Sequence, residues 1–422
     1  MDIQGPRTDA VANVWLAAET IRRLSVSLVL AEQEDLVARG QMPRDAMAAL
    51  QDPRLSAMQQ DALLIDADGL GFDSLARLKL ILRFNRFFNL SDTGIEDYLL
   101  LQRSLGDWCG LLDHHLRLVA DRAQFTFATS GSAGPVKHIS HSASDLLAEV
   151  QALRHGPLVH LAQGTRIVLL VPPHHIYGFL FGCLLPRVLG GPVLDLRLAG
   201  PTAVFHHAMP GDLIIGTTLN WQLVHDSGRV FPPSVSGITS AGASSDKTWA
   251  TRHVNDLDHL TEVYGATETG GIGTRSDPDA PFRLLPHLTH TKAGAVQRAR
   301  DQYRLAVQDR LVWEGDGYFR VLGRLDDVVK VGGVNVSPAH VVGVLCACDG
   351  VAFASVRLGN DRMKAFVVAK PGSDPPELEA RLRAHILRNL SAPARPASLT
   401  FGATLPVNAM GKSCDWATTP HG

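Results

Sequence analysis

The sequence predicts an α/β protein in three parts: a helical N-terminal region, a large lobe on a mainly parallel sheet, and a small α+β C-terminal lobe. Three observations predict it. Apolar residues recur at helical spacing through Val11–Leu36, Leu75–Phe88 and Ile95–Leu112, broken by the turn-rich QDPRL and DADGLGFDS. From Gln124 short β-like runs, TRIVLLVPP (165–173) and GDLIIGTT (211–218), alternate with helical segments and Gly-rich turns, as in a sheet covered by helices. After Arg324 the texture changes again. VVKVGGVNVSP, a helix-like AHVVGVLCAC, strand-like VAFASVRL and KAFVVAK, and a helix around 375–390 form the small module. The expected domains are 1–118, 119–325 and 326–422.

Composition narrows the classes of function. A net charge of -2 leaves no basic footprint for nucleic acid and no polybasic membrane anchor. The early apolar run Leu24–Ala31 is too short to span a bilayer and follows Arg22 and Arg23 inside an expected helix. The five cysteines are scattered, with Cys346 and Cys348 the one close pair, and no second Cys/His pair stands at zinc spacing. The chain reads as cytoplasmic, with reduced thiols.

Several short runs carry chemistry. In FTFATSGSAGPVKHISH (125–141) a strand leads into a loop of small residues. Such a loop lets backbone N–H groups approach phosphate oxygens; Thr129, Ser130 and Ser132 add hydroxyls and Lys137 a point charge. The spacing is not GxxxxGK[ST], and a loop of this kind alone is equally a solvated turn. VPPHHIYGF (171–179) places His175 after a strand, where it is either a functional histidine or a half-buried one in a Pro-bounded turn. VYGATETGG (263–271) is either a polar turn after a buried strand or an oxygen-rich ligand site.

Taken in order over roughly residues 124 to 416, these blocks resemble the adenylate-forming superfamily of acyl- and aryl-CoA synthetases, peptide-synthetase adenylation domains and luciferases. TSGSAGPVK is similar to the family's T-S-G-S-T-G-x-P-K, with Ala133 replacing a threonine and Pro135 shifted by one. The resemblance implies that Thr129, Ser130, Gly131, Ser132, Gly134 and Lys137 cradle the phosphates of ATP. It implies that His175 lines the carboxylate pocket, and that TSAGASS (239–245), through Gly242 and Ala243, runs along the adenine and the acyl group. In the Y-G-x-T-E block, Tyr264 and Gly265 would lie near the adenine, Thr267 would bond the α-phosphate and Glu268 would help hold Mg²⁺.

The same resemblance reaches the C-terminal part. DRLVWEGDGYFRVLGRLDD (309–327) lacks the family's Thr-Gly, since Val307 and Gln308 stand there, but keeps Asp309 and Arg324 for the ribose hydroxyls and Asp326 at the hinge position. Lys330 and Asn335 in VVKVGGVNVSP, and Lys412 in LPVNAMGKSC, match positions that assist catalysis. His340 stands at the family's acidic position and Asp415 at a basic one. As isolated residues, Lys330 and Lys412 would be surface charges.

The implied function is an ATP- and Mg²⁺-dependent acid–thiol ligase. It adenylates a carboxylic acid and passes the acyl group to coenzyme A or to the phosphopantetheine of an acyl carrier protein, with no nucleic acid or membrane as partner. Its rivals are an adenylase that forms no thioester and a non-catalytic nucleotide-binding relative. The short interval from Glu268 to Asp309 implies a smaller or missing β-subdomain. In the N-terminal region GLGFDSLARLKLILRF resembles a carrier-protein helix whose serine, here Ser74, bears phosphopantetheine. The alternative is a helix N-cap, and the helix is basic where carrier helices are usually acidic.

Overall fold

The computed structural model describes residues 16–52, 55–129, 136–241, 246–324, 329–331, 334–359, 362–406 and 414–416. By internal contacts the chain divides into two compact units. The first comprises Met1–Thr129, Val136–Thr289 and Gln297–Tyr303; the second contains His290–Val296 and Arg304–Gly422.

The first unit opens with helices α1 (Ala18–Ala38), α2 (Ser74–Phe88) and α3 (Leu105–Val119). The middle of α1, from Leu24 to Leu30, is buried on every side, so it behaves as a core helix rather than a surface one. The single helix expected over Ile95–Leu112 is interrupted. Gln102 is extended, and α3 starts afresh at Ser104, whose hydroxyl accepts the Asp107 N–H while the Asp107 carboxylate takes the Ser104 N–H. This capping box satisfies two otherwise orphaned donors, and it outweighs the continuous apolar spacing. Aromatic rings lock the helices together and to the segments after them: Phe84 meets Trp108 edge-on at 5.0 Å, Phe87 meets Phe127 at 5.5 Å, and Phe125 lies 4.6 Å from Phe179.

A hairpin of β1 (Gln124–Ala128) and β2 (His138–Ser142) comes next, then α4 (Ala143–His155), capped by the Ser142 hydroxyl. The sheet of this unit contains β3 (Ile167–Leu169), β4 (Val193–Asp195), β5 (Leu213–Gly216), β6 (Ser236–Ser240), β7 (His259–Ala266), β8 (Gly270–Arg275) and β9 (Phe282–Leu284). Its order is β9-β8-β7-β6-β5-β3-β4. From β4 to β7 all pairs are parallel, and the continuous apolar runs expected for β3 and β5 are fully buried. Beyond β7 the pairing turns antiparallel, making the sheet mixed. Helix α5 (Thr218–Asp226) brings Trp221 under β5 and β6, where its indole N–H donates to the Ile238 carbonyl at 3.0 Å. Gly237 is required there: a Cβ would stand 2.7 Å from that indole.

Two short strands, β10 (Leu288–His290) and β11 (Val296–Arg298), come after β9 in the chain. The second unit then contains the hairpin β12 (Asp309–Trp313) and β13 (Tyr318–Arg324), and a smaller one, β14 (Val329–Val331) and β15 (Val334–Val336). A three-stranded sheet of β16 (Val351–Leu358), β17 (Met363–Ala369) and β18 (Ser398–Phe401) is packed by helices α6 (Pro338–Cys346) and α7 (Pro375–Asn389). Its core is Val341, Leu345, Val351, Met363, Val367, Leu378 and Leu382, which is the α+β module the sequence predicts.

Candidate active site

Two hairpins of the first unit carry most of its expected ligand contacts. In the β1–β2 hairpin, the Thr129 N–H donates to the Lys137 carbonyl at 2.8 Å, and the Lys137 N–H donates to the Thr129 hydroxyl at 3.0 Å. The loop is therefore closed at its neck by two bonds, with Thr129 and Lys137 facing across it. Ser130, Gly131, Ser132 and Gly134 lie outside the described residues. Asn89, left-handed at the C-terminus of α2 (φ 53°), donates its side-chain amide to the Gln124 carbonyl at 3.1 Å, so the helical region fixes the foot of this hairpin.

The run YGATETGG forms the second hairpin. Ala266 pairs with Gly270 and Gly265 with Gly271, after a register shift at Tyr264. The turn closes on itself, because the Thr269 N–H donates to the Ala266 carbonyl and the Ala266 N–H to the Thr269 hydroxyl, both at 3.2 Å. Its glycines have steric work. A Cβ on Gly265 would stand 2.2 Å from the Gly270 carbonyl oxygen, and Gly270 itself has φ +70°. Thr267 and Glu268 sit half-buried in the turn, and Tyr264 is buried with its ring 5.5 Å from that of Phe282. A single half-buried carboxylate suits a Mg²⁺ ion that takes its remaining oxygens from nucleotide phosphates and water.

Two residues that the sequence reading missed join these hairpins. His141, on β2, donates from Nε2 to the Thr267 carbonyl at 2.7 Å. Glu149, on α4, accepts the Gly271 N–H at 2.8 Å. The β1–β2 hairpin and α4 thus both hold the Thr-Glu turn. Burial outweighs the Thr267 bond and holds His141 below the usual histidine range, so near neutral pH it is uncharged. Burial likewise pushes Glu149 up to about 8, partly offset by the Gly271 bond. Glu149 could have been found in the sequence: it falls on the face of α4 that Leu146, Val150 and Leu153 make apolar, where a carboxylate is out of place.

Glu149 predicts a pH dependence. Its native pKa lies above the ordinary 4.5, so its contribution to stability is fully present below about 4.5 and drains away until the pH passes about 8. Glu149→Gln keeps the acceptor for Gly271 and removes the proton. Melting temperatures recorded from pH 5 to 9 are expected to fall more steeply with pH for the native protein than for the variant, and to run parallel above pH 8. Parallel curves across the whole range would contradict a protonated Glu149.

His175 precedes a helical turn, its carbonyl accepting the Phe179 N–H at 2.8 Å and its ring lying 4.4 Å from that of His174. Tyr177 donates its hydroxyl to the Gly216 carbonyl at 2.9 Å. Ser240 ends β6, and the Ala241 N–H donates to the Val263 carbonyl at 2.8 Å; Gly242 and Ala243 lie outside the described residues.

In the second unit the antiparallel registers pair the expected residues. Asp309 stands directly opposite Arg324, and Lys330 directly opposite Asn335. Two residues separated along the sequence become cross-strand neighbours in each case. Asp326 and Lys412 lie outside the described residues. Asp415, at the position where the family has a basic residue, pairs with Lys364 at 2.7 Å, and that bond holds its carboxyl below the usual range. Ser74 is exposed as the first residue of α2, and the neighbouring Asp73 is the cap, accepting the Ala76 N–H at 2.8 Å. Among the described residues no helix is long and apolar enough to cross a membrane.

The blocks that resemble the adenylate-forming superfamily thus lie on two joined hairpins and an α+β unit, and comparison with known proteins shows the class. The AMP-binding enzyme family matches residues 112–309. The chain is 41% identical over 403 residues to the 4-coumarate–CoA ligase of Cereibacter sphaeroides, covering 95% of this chain and 97% of the relative. It is 43% identical over 399 residues to the 4-coumarate–CoA ligase of Rhodobacter capsulatus, covering 94% and 100%. The fold is also that of ATP-bound MatB from Rhodopseudomonas palustris, with TM-score 0.57 at 17% identity over 94% of this chain and 91% of that one. The chain belongs to the AMP-binding enzyme family. Within it, the chain is an acyl- or aryl-CoA ligase, an ATP-dependent acid–thiol ligase that works through an acyl-adenylate.

Proposed function

We propose that the acid is an arylpropenoate of the 4-coumarate type and that the acceptor is coenzyme A. The observation that carries this reading is the end-to-end identity with ligases named for that acid. In the first step a carboxylate oxygen attacks the α-phosphorus of ATP, pyrophosphate leaves, and an acyl-adenylate remains. In the second, the thiolate of coenzyme A attacks the acyl carbon and AMP departs with the shared electron pair.

The residues divide the work by chemistry. Lys137 and the Thr129 loop hold the phosphates, Thr267 bonds the α-phosphate, and Glu268 would hold a Mg²⁺ ion, which would supply charge neutralisation for the phosphates. Asp309 and Arg324 grip the ribose hydroxyls as acceptor and donor. Lys412 neutralises charge developing between carboxylate and phosphate, while Lys330, Asn335 and His175 complete the set. Asp326 serves as the hinge between the two steps. The setting is cytoplasmic, where ATP and coenzyme A are both at hand.

The test is product formation. With 4-coumarate, ATP, Mg²⁺ and coenzyme A, chromatography should show 4-coumaroyl-CoA and AMP in equal amounts, and omission of any component should abolish both. Benzoate, anthranilate, a fatty acid and a holo-carrier protein as acceptor form the comparison arms. A larger kcat/KM for one of those acids, or for the carrier protein, would replace the proposed partner.

A further inference from the structure

We infer that Ser27 of the N-terminal helix and Arg197 lock His174 in one tautomer, making His174 a positioning residue for His175. The inference rests on the proposed role of His175 beside the substrate carboxylate. It begins with an oddity of α1: Ser27 sits in the fully buried stretch of that helix, 1% exposed, where an alanine would suit helix propensity and packing alike.

The Ser27 hydroxyl has two partners. It lies 2.7 Å from His174 Nδ1, and it receives a hydrogen bond from the Arg197 guanidinium. Chemistry sets the direction of these bonds. A guanidinium can only donate, so one Ser27 Oγ lone pair accepts from Arg197; the hydroxyl's single proton meets no other acceptor among the described residues and goes to His174 Nδ1. Nδ1 must therefore carry the lone pair, and the ring proton belongs on Nε2. Arg197 is itself held, its guanidinium 3.3 Å from the Asp195 carboxylate and its backbone N–H donating to the same carboxylate at 3.2 Å. The order is Asp195, Arg197, Ser27, His174.

Charge reinforces the assignment. Burial opposes a cation at His174, and His175, Arg197 and Arg83 add to it, so the ring stays neutral at neutral pH. A neutral ring of fixed tautomer then packs against His175 at 4.4 Å. A second tie from α1, the Arg23 guanidinium on the Gly182 carbonyl at 2.9 Å, anchors the helix beside the same segment. The helical N-terminal region thereby reaches the candidate acid pocket through one hydroxyl.

Two readouts test this. Nitrogen NMR of histidine-labelled protein, with the His174 signals identified by subtraction of His174→Phe, should show a protonated Nε2 and a bare Nδ1 at pH 7. Ser27→Ala should mix the tautomers and lower kcat/KM for the acid about tenfold, short of the roughly 10²-fold that a misplacement of about 1 Å can cost. The KM for ATP should stay within about twofold. A protonated Nδ1 in the native protein, or unchanged His174 signals in Ser27→Ala, would overturn the inference. So would parallel losses for acid and ATP. Native protein that forms no thioester would defeat the proposed function instead, and the nitrogen spectrum would still decide the tautomer.

Discussion

Gly270→Ala is expected to be among the most damaging single substitutions in the protein. Gly270 holds φ +70°, and a Cβ there would stand 2.3 Å from Glu149 Oε2. The left-handed backbone costs a non-glycine residue about 1–2 kcal/mol, and forcing a carboxyl aside in a packed interior adds a comparable amount. The sum is on the order of 3 kcal/mol, enough to lower the melting temperature by several degrees. The site should suffer more than the fold. Glu149 and His141 hold the turn bearing Thr267 and Glu268, so moving Glu149 moves the proposed phosphate and Mg²⁺ contacts. Pyrophosphate exchange should fall more steeply than the lost stability explains. Glu149→Ala in the same chain should restore part of the melting temperature, because it removes the clash and leaves the backbone strain. Full additivity of the two losses would show that the contact is not the cause.

Lys412→Ala is expected to lower adenylation by roughly 10²–10³, as the removal of a preorganised charge at a developing anion does elsewhere. Under the proposed function the lysine acts in the first step alone. The variant should then still convert a supplied acyl-adenylate and coenzyme A to thioester at close to the native rate. Stopped-flow measurement of the two half-reactions separates the cases. Equal losses in both steps would assign Lys412 to general binding rather than to adenylation.

How much of the molecule is legible in its sequence depends on the range of the interactions. Strands β3, β5, β16 and β17 are visible as apolar runs, and the turn glycines of TETGG are visible because backbone geometry dictates residue type locally. The break before α3 is also written locally, in Ser104 and Asp107, yet it hides inside a longer apolar periodicity. His141 and Glu149 are not legible as partners of the Thr-Glu turn. Their bonds span 126 and 122 positions, and no local spacing encodes which distant backbone group a buried side chain will meet. The roles of Lys137, Asp309 and Lys330 come from block resemblance, since single charged residues carry no such message.

The opposition of Lys330 to Asn335 sets a rule for how this protein tolerates change in chain length. The two short strands meet as Val329 with Val336, Lys330 with Asn335 and Val331 with Val334. Because alternate residues of a strand point to opposite sides, one residue inserted between Val331 and Val334 and absorbed by slippage would turn one arm over. Lys330 and Asn335 would then part company, and Val336, now buried, would be driven toward solvent. Natural variants should keep the number of residues between Val331 and Val334 constant.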